Sequence, residues 1–203
     1  MSSPEREAMR ELGEMAPVDM AGATVDTICA IAGASAARGA LGTIYLAIAT
    51  YADVPIVVMD WDLAPMHRAL PTYLHDVYAH LAELQKIVRL VTSPEDMVVW
   101  SEASGLGNAV LLEAQKSAYE VRPIPEGVTK MTLEERATPA LMYLHTGRVK
   151  LDRRAFEKTV TFRGASGNFL RRQIADYDRA QTADAAELLS ALCAGILTAF
   201  GHR

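Results

Sequence analysis

A chain of 203 residues, 50% apolar and 22% charged, is long enough to bury a full core and too apolar to be a disordered tail. No apolar run reaches the length of a membrane span, so no membrane partner is expected. The net charge of -5 argues against a generic nucleic-acid coat, yet residues 148–179 hold nine Lys/Arg against four Asp/Glu, which suits a local anionic partner as well as a solvated face. Two cysteines, Cys29 and Cys193, lie in apolar surroundings and predict buried thiols in a reducing compartment rather than a disulfide framework.

Residues 1–16 are dense in charge and read as an N-terminal extension or linker remnant with no apolar leader. Residues 17–203 read as one domain. Residues 27–34, 43–50 and 54–61 are apolar runs rich in β-formers, separated by short turns, and predict an antiparallel meander. Leu70, Leu74, Val77, Tyr78, Leu81 and Leu84 then recur at helical spacing. Residues 97–100 predict a buried central strand that stops at Glu102, followed by a Gly-containing turn and a helix over 108–118. Residues 119–124 predict a further strand. Thr132 and Glu135 have the spacing of a capping box for a helix that runs to His145, with Gly147 as its stop. Gly164-Ala165-Ser166-Gly167-Asn168 reads as a loop or hairpin tip, and Thr182 caps a last helix over 183–200. Three antiparallel strands leading into βαβ units predict an α/β mixed sheet flanked by helices.

Three isolated acids fall at element ends in that order: Asp19 before the turn Met20-Ala21-Gly22, Glu102 closing the central strand, and Asp184 opening the last helix. Each has an ordinary reading. Asp19 suits a turn, and Asp184 suits a helix N-terminus. Glu102 is harder to dismiss, because a carboxylate closing an apolar strand is costly without a partner. Converging carboxylates repel unless a cation sits between them, and hard oxygen donors suit Mg²⁺ or Mn²⁺. Asp60 and Asp62 read instead as the solvent-exposed tip of the third strand, with a peripheral ligand role for one of them as the alternative. Histidines 67, 75, 80 and 145 share no metal-ligand spacing with a cysteine.

The element order and these acids resemble the ribonuclease H-like fold, and more narrowly the C-terminal nuclease domain of the large terminase subunit of tailed bacteriophages. Asp19-Met20-Ala21-Gly22, followed by Asp26 and the apolar run after it, is similar to that family's Asp-Pro-Ala-Gly stretch. Val99-Trp100-Ser101-Glu102-Ala103-Ser104-Gly105 matches its middle acid, and Ala183-Asp184-Ala185-Ala186-Glu187 its last. Lys130, Arg136 and Gly147-Arg148-Val149 are similar to its Lys…Arg…Gly-x-Val stretch. The chain departs from the family in three ways. Residues 14–18 are poor strand material, so Asp26 rather than Asp19 could be the central-strand acid. The last helix keeps one Asp of a usual pair. No P-loop pattern is present, so the packaging ATPase is not in this stretch.

The resemblance implies a ribonuclease H-like mixed five-stranded sheet, with three antiparallel and then two parallel strands. It implies two Mg²⁺ or Mn²⁺ ions held by Asp19, Glu102 and Asp184, with Asp26 assisting, in a metal-dependent endonuclease that cuts concatemeric viral DNA during packaging. Lys130, Arg136, Arg163, Arg171 and Arg172 would contact phosphates of double-stranded DNA. The implied partners are the terminase ATPase domain, the small subunit and the portal, in the cytoplasm of a bacterial host. Two alternatives stand beside it: another ribonuclease H-like nuclease such as a junction resolvase, and a docking module with a decayed site.

Overall fold

The computed structural model describes residues 16–35, 39–50, 52–65, 69–91, 97–103, 105–177 and 187–201. The elements in chain order are β1 (Thr24–Val25), β2 (Thr27–Ser35), β3 (Ala40–Ile48), β4 (Ile56–Pro65), α1 (Leu70–Gln85), β5 (Arg89–Leu90), β6 (Val98–Ser101), α2 (Gly105–Ala114), β7 (Val121–Pro123), α3 (Glu126–Thr129), α4 (Leu133–His145), β8 (Val149–Leu151), α5 (Arg153–Glu157), β9 (Val160–Phe162), β10 (Ala165–Gly167), α6 (Phe169–Ala175) and α7 (Glu187–Ala199).

Six strands form the main sheet in the order β7-β6-β2-β3-β4-β8. The meander β2-β3-β4 is antiparallel, β6 joins β2 in parallel, and β7 joins β6 in parallel. This is the order of three antiparallel and then two parallel strands that the resemblance implies, extended at the far edge by β8, which pairs in parallel with β4. β2 is central because it is small and apolar on both faces, as a strand covered on both sides must be.

Two cores flank the sheet. On one face Ile31, Ile44, Leu46, Val58 and Trp61 meet α4, α5, α6 and α7. On the other, Ile28, Ala30, Tyr45 and Met59 meet α1 and α2. α1 buries Tyr73, Leu74, Val77, Leu81 and Leu84, the stripe its periodicity predicts. The capping box of α4 forms in both directions: Glu135 N–H donates to Thr132 Oγ1 at 3.2 Å, and Thr132 N–H to Glu135 Oε2 at 2.7 Å. A cap of this kind contributes about 1 kcal/mol and fixes the first turn, where the next residue is Arg136.

A register shift between Tyr45 and Leu46 opposes one extra residue of β4, so Asp60 and Asp62 both turn toward the α1 side. Contrary to the exposed tip expected from sequence, Asp60 is buried. It accepts from Trp61 N–H and Lys158 Nζ, and its other oxygen lies 2.9 Å from His80 Nε2. Lys158 also donates to Asp62 at 2.9 Å, and Tyr45 Oη donates to Asp62 from the other side. Burial alone would raise the Asp60 pKa, but the His80 and Lys158 contacts outweigh it and hold the group below its ordinary value. Lys158 is lowered by burial and raised further by the two aspartates, with a net rise.

Both signs predict a plateau of stability. Asp60 contributes fully above its unfolded pKa near 4 and loses that contribution as pH falls through its lower folded value. Lys158 contributes fully below about 10.4 and loses it as pH rises through its higher folded value. The expected result is a steeper loss of thermal stability below about pH 4 in the wild type than in Asp60→Asn. Equal acid slopes in the two proteins would overturn this assignment.

Candidate nucleic-acid site

The parallel strands β2, β6 and β7 end on the same side of the sheet, as do β4 and β8. The carboxyl end of such a sheet is where α/β folds place their sites. Glu102 stands there, one residue beyond β6, and the pairing of Ala32 with Ser101 sets it level with Gly33 of β2. α2 starts tightly behind it. Gly105 takes the left-handed φ of +53°, Ser101 Oγ donates to Gly107 O at 3.1 Å, and a Cβ on Gly107 would lie 2.4 Å from Glu102 O.

Glu102 points to the face covered by α4 and α7. Its carboxylate is bonded by Nη1 of Arg136, a side chain only 6% exposed. The same guanidinium donates through Nε to Val128 O at 2.9 Å, through Nη2 to Thr129 O at 3.0 Å, and through Nη1 to Ser190 Oγ at 3.3 Å. One turn before Ser190, Glu187 is buried and accepts from Gln173 Nε2 at 3.2 Å. Gln173 Oε1 in turn accepts from Leu188 and Leu189 N–H. Glu102 and the last helix therefore share one face and meet through a single arginine.

The other acids stand elsewhere. Asp19 is exposed and accepts from Ala21 N–H at 2.9 Å, a turn contact. Its neighbour Val18 bridges Asp152 at the β8 edge, and β8 is itself four inter-strand steps from β6, roughly 19 Å at ~4.8 Å per strand. Asp26 precedes β2 at the opposite end of the sheet, about 23 Å from the level of Gly33 at ~3.3 Å per residue. It accepts from Thr50 N–H at 2.7 Å and pins the loop after β3. Asp184 lies outside the described residues. Neither candidate for the central-strand acid is on the central strand, and residues 27–48 contain no acidic side chain at all.

The basic candidates gather at the same end as Glu102. Lys130 ends α3 and pairs with Glu126 at 2.7 Å on the surface. Arg163 sits at the β9–β10 turn with φ +53°, and its Nη2 donates to Gly39 O at 3.1 Å, tying that hairpin to the end of β2. Arg171 lies 4.1 Å over Phe156, and Arg172 donates to Ser166 O at 2.9 Å. Exposed Arg153 and Arg154, which the sequence reading passed over, open α5 beyond β8. Arg136 is the exception, since its burial and four hydrogen bonds keep it from the surface.

A ribonuclease H-like centre implies divalent ions, and the described residues do not fit them. Among the described residues no three His, Cys, Asp or Glu side chains are grouped to hold a metal. Glu102, the carboxylate just beyond β6, already carries a guanidinium.

No family model and no curated protein matches the chain. Solved structures similar to it include the following two. One is a human cytomegalovirus terminase nuclease domain, manganese-soaked and inhibitor-bound, at 8% identity over 100% of this chain and 95% of that one, with a TM-score of 0.48. The other is RuvC of Thermus thermophilus, at 15% identity over 85% and 96%, with a TM-score of 0.35. At these values neither likeness carries a residue or an activity to this chain.

Proposed function

We propose that this chain is the DNA-engaging ribonuclease H-like domain of a viral genome-packaging machine, docking on double-stranded DNA through the carboxyl end of its sheet. The observation that carries it is the tie from Arg163 to Gly39, which brings the basic β9–β10 and α6 region to the end where Glu102 stands. Phosphate contacts from Lys130, Arg153, Arg154, Arg163 and Arg172 would position duplex without reading its sequence. In that role its partners are the packaging ATPase, the small subunit and the portal, in the cytoplasm of a bacterial host. No helix among the described residues is long and apolar enough to cross a membrane.

A second reading keeps hydrolysis, with the chain cutting concatemeric DNA using Mg²⁺ or Mn²⁺. One observation favours it: Glu102 faces the last helix, and Asp184 is three residues before Glu187. That reading would recruit Asp184 from the residues just ahead of α7.

Binding of labelled duplex, branched DNA and RNA–DNA hybrid, followed by anisotropy across a salt series, tests the first reading. With four or five phosphates neutralised, the slope of log K against log salt is expected near -4. Arg163→Ala and Arg172→Ala should each reduce it by about 1. Salt-independent binding, or none, would sink the proposal, and a preference for branched DNA would favour a resolvase. Plasmid cleavage in Mn²⁺ that Glu102→Ala abolishes would establish the second reading.

A further inference from the structure

We infer that Arg136 is the resident cation of this site, occupying the role that divalent ions have in the family, so that DNA is engaged without metal. The inference deepens the docking proposal and rests on it. Two independent features support it.

The first is the seating of the guanidinium. Val128 O and Thr129 O, at the end of α3, hold one edge, and Glu102 and Ser190 take the other. Such a fork is preorganised for a carboxylate. A divalent ion approaching Glu102 would meet a fixed positive charge in a partly buried setting, where screening is weak.

The second is steric. Gly33 is the position on the central strand that is level with Glu102 and faces the last helix. A Cβ there would lie 2.6 Å from the carbonyl oxygen of Glu187 and 3.0 Å from Ala191 Cβ. Beside it, a Cβ on Gly42 would lie 3.1 Å from Glu187. The first turn of α7 therefore occupies the space into which a central-strand carboxylate would project. Without that ligand the described residues lack the oxygens a pair of hard cations needs, and one positive charge on Glu102 suffices.

The test uses the full chain, titrated with Mn²⁺ by calorimetry, together with Glu102→Gln, Arg136→Gln and the double variant in urea unfolding. Expected are no saturable Mn²⁺ heat in the wild type and equal DNA affinity in EDTA and in Mn²⁺ at matched ionic strength. Each single substitution should raise the unfolding equilibrium constant. The double should fall short of the product of the singles by roughly tenfold, because the two groups are one interaction. Saturable Mn²⁺ binding that Glu102→Gln abolishes overturns the inference, as does strict additivity of the two substitutions. The Mn²⁺ titration needs no variant that must first fold. Failure of the docking proposal is distinguishable, since it would show as absent DNA binding in every buffer.

Discussion

Gly33→Val should destabilise the domain by about 3 kcal/mol, a shift of roughly a hundredfold in the unfolding equilibrium, because overpacking here meets backbone rather than a flexible side chain. The β carbon alone would stand 2.6 Å from Glu187 O. Relief requires the first turn of α7 to lift from β2 and β3, two of its main supports. The same helix is let down onto the sheet at its middle by Gly195, whose Cβ would meet Ile31 Cγ1 at 2.7 Å and Leu46 Cδ1 at 2.8 Å. Glycine is therefore used on both sides of one interface, on the strand to admit the helix backbone and on the helix to admit strand side chains. Lifting the first turn would also draw Ser190 away from Arg136, so the variant should lose the Glu102–Arg136 coupling as well as stability. Urea unfolding measures the first effect, and repeating the double-variant comparison in the Gly33→Val background measures the second. An unchanged urea midpoint would show that the helix does not rest on this glycine.

The architecture was legible because its signals are local. Alternation and short turns marked the meander, spacing of three and four marked α1, and Thr132 with Glu135 marked the start of α4. β8 and α5 have no local signal, and of the β9–β10 hairpin only the tip has one. They are three- to five-residue elements whose stability comes from tertiary pairing, such as β8 on β4. The site was legible only in part. Glu102 was found because a carboxylate closing an apolar strand is conspicuous in a linear reading. Its counter-ion Arg136 is 34 residues away, and nothing in a lone arginine on a helix tells burial from exposure. Asp19 and Asp26 misled for the same reason: an acid beside a Gly turn looks alike at either end of a sheet, and only strand order says which end it is. Asp60 reads as a surface residue in the sequence because the one-residue bulge that turns it inward is invisible in composition.

Gln173→Leu should cost about 3 kcal/mol although the two side chains are similar in volume, because it removes every hydrogen bond of a buried amide. Oε1 of Gln173 accepts from Leu188 N–H at 2.9 Å and Leu189 N–H at 3.1 Å, and Nε2 donates to Glu187 Oε1 at 3.2 Å. The first turn of a helix has no intrahelical acceptors for its N–H groups, so here a side chain from α6 supplies them across a tertiary contact. Leucine would leave those donors buried without this acceptor. Gln173→Glu separates the two halves of the interaction. A carboxylate can still accept both N–H groups, but it cannot donate to Glu187, and it sets two carboxylates face to face. One of the pair would then have its folded pKa raised above the unfolded value. The sign follows: the variant should be least stable near neutral pH and regain stability relative to wild type as pH falls toward about 5, where one proton can be shared. Thermal unfolding of the three proteins between pH 5 and pH 8 measures this. A Gln173→Glu variant whose deficit stays constant across that range would show that Glu187 is not what the amide nitrogen serves.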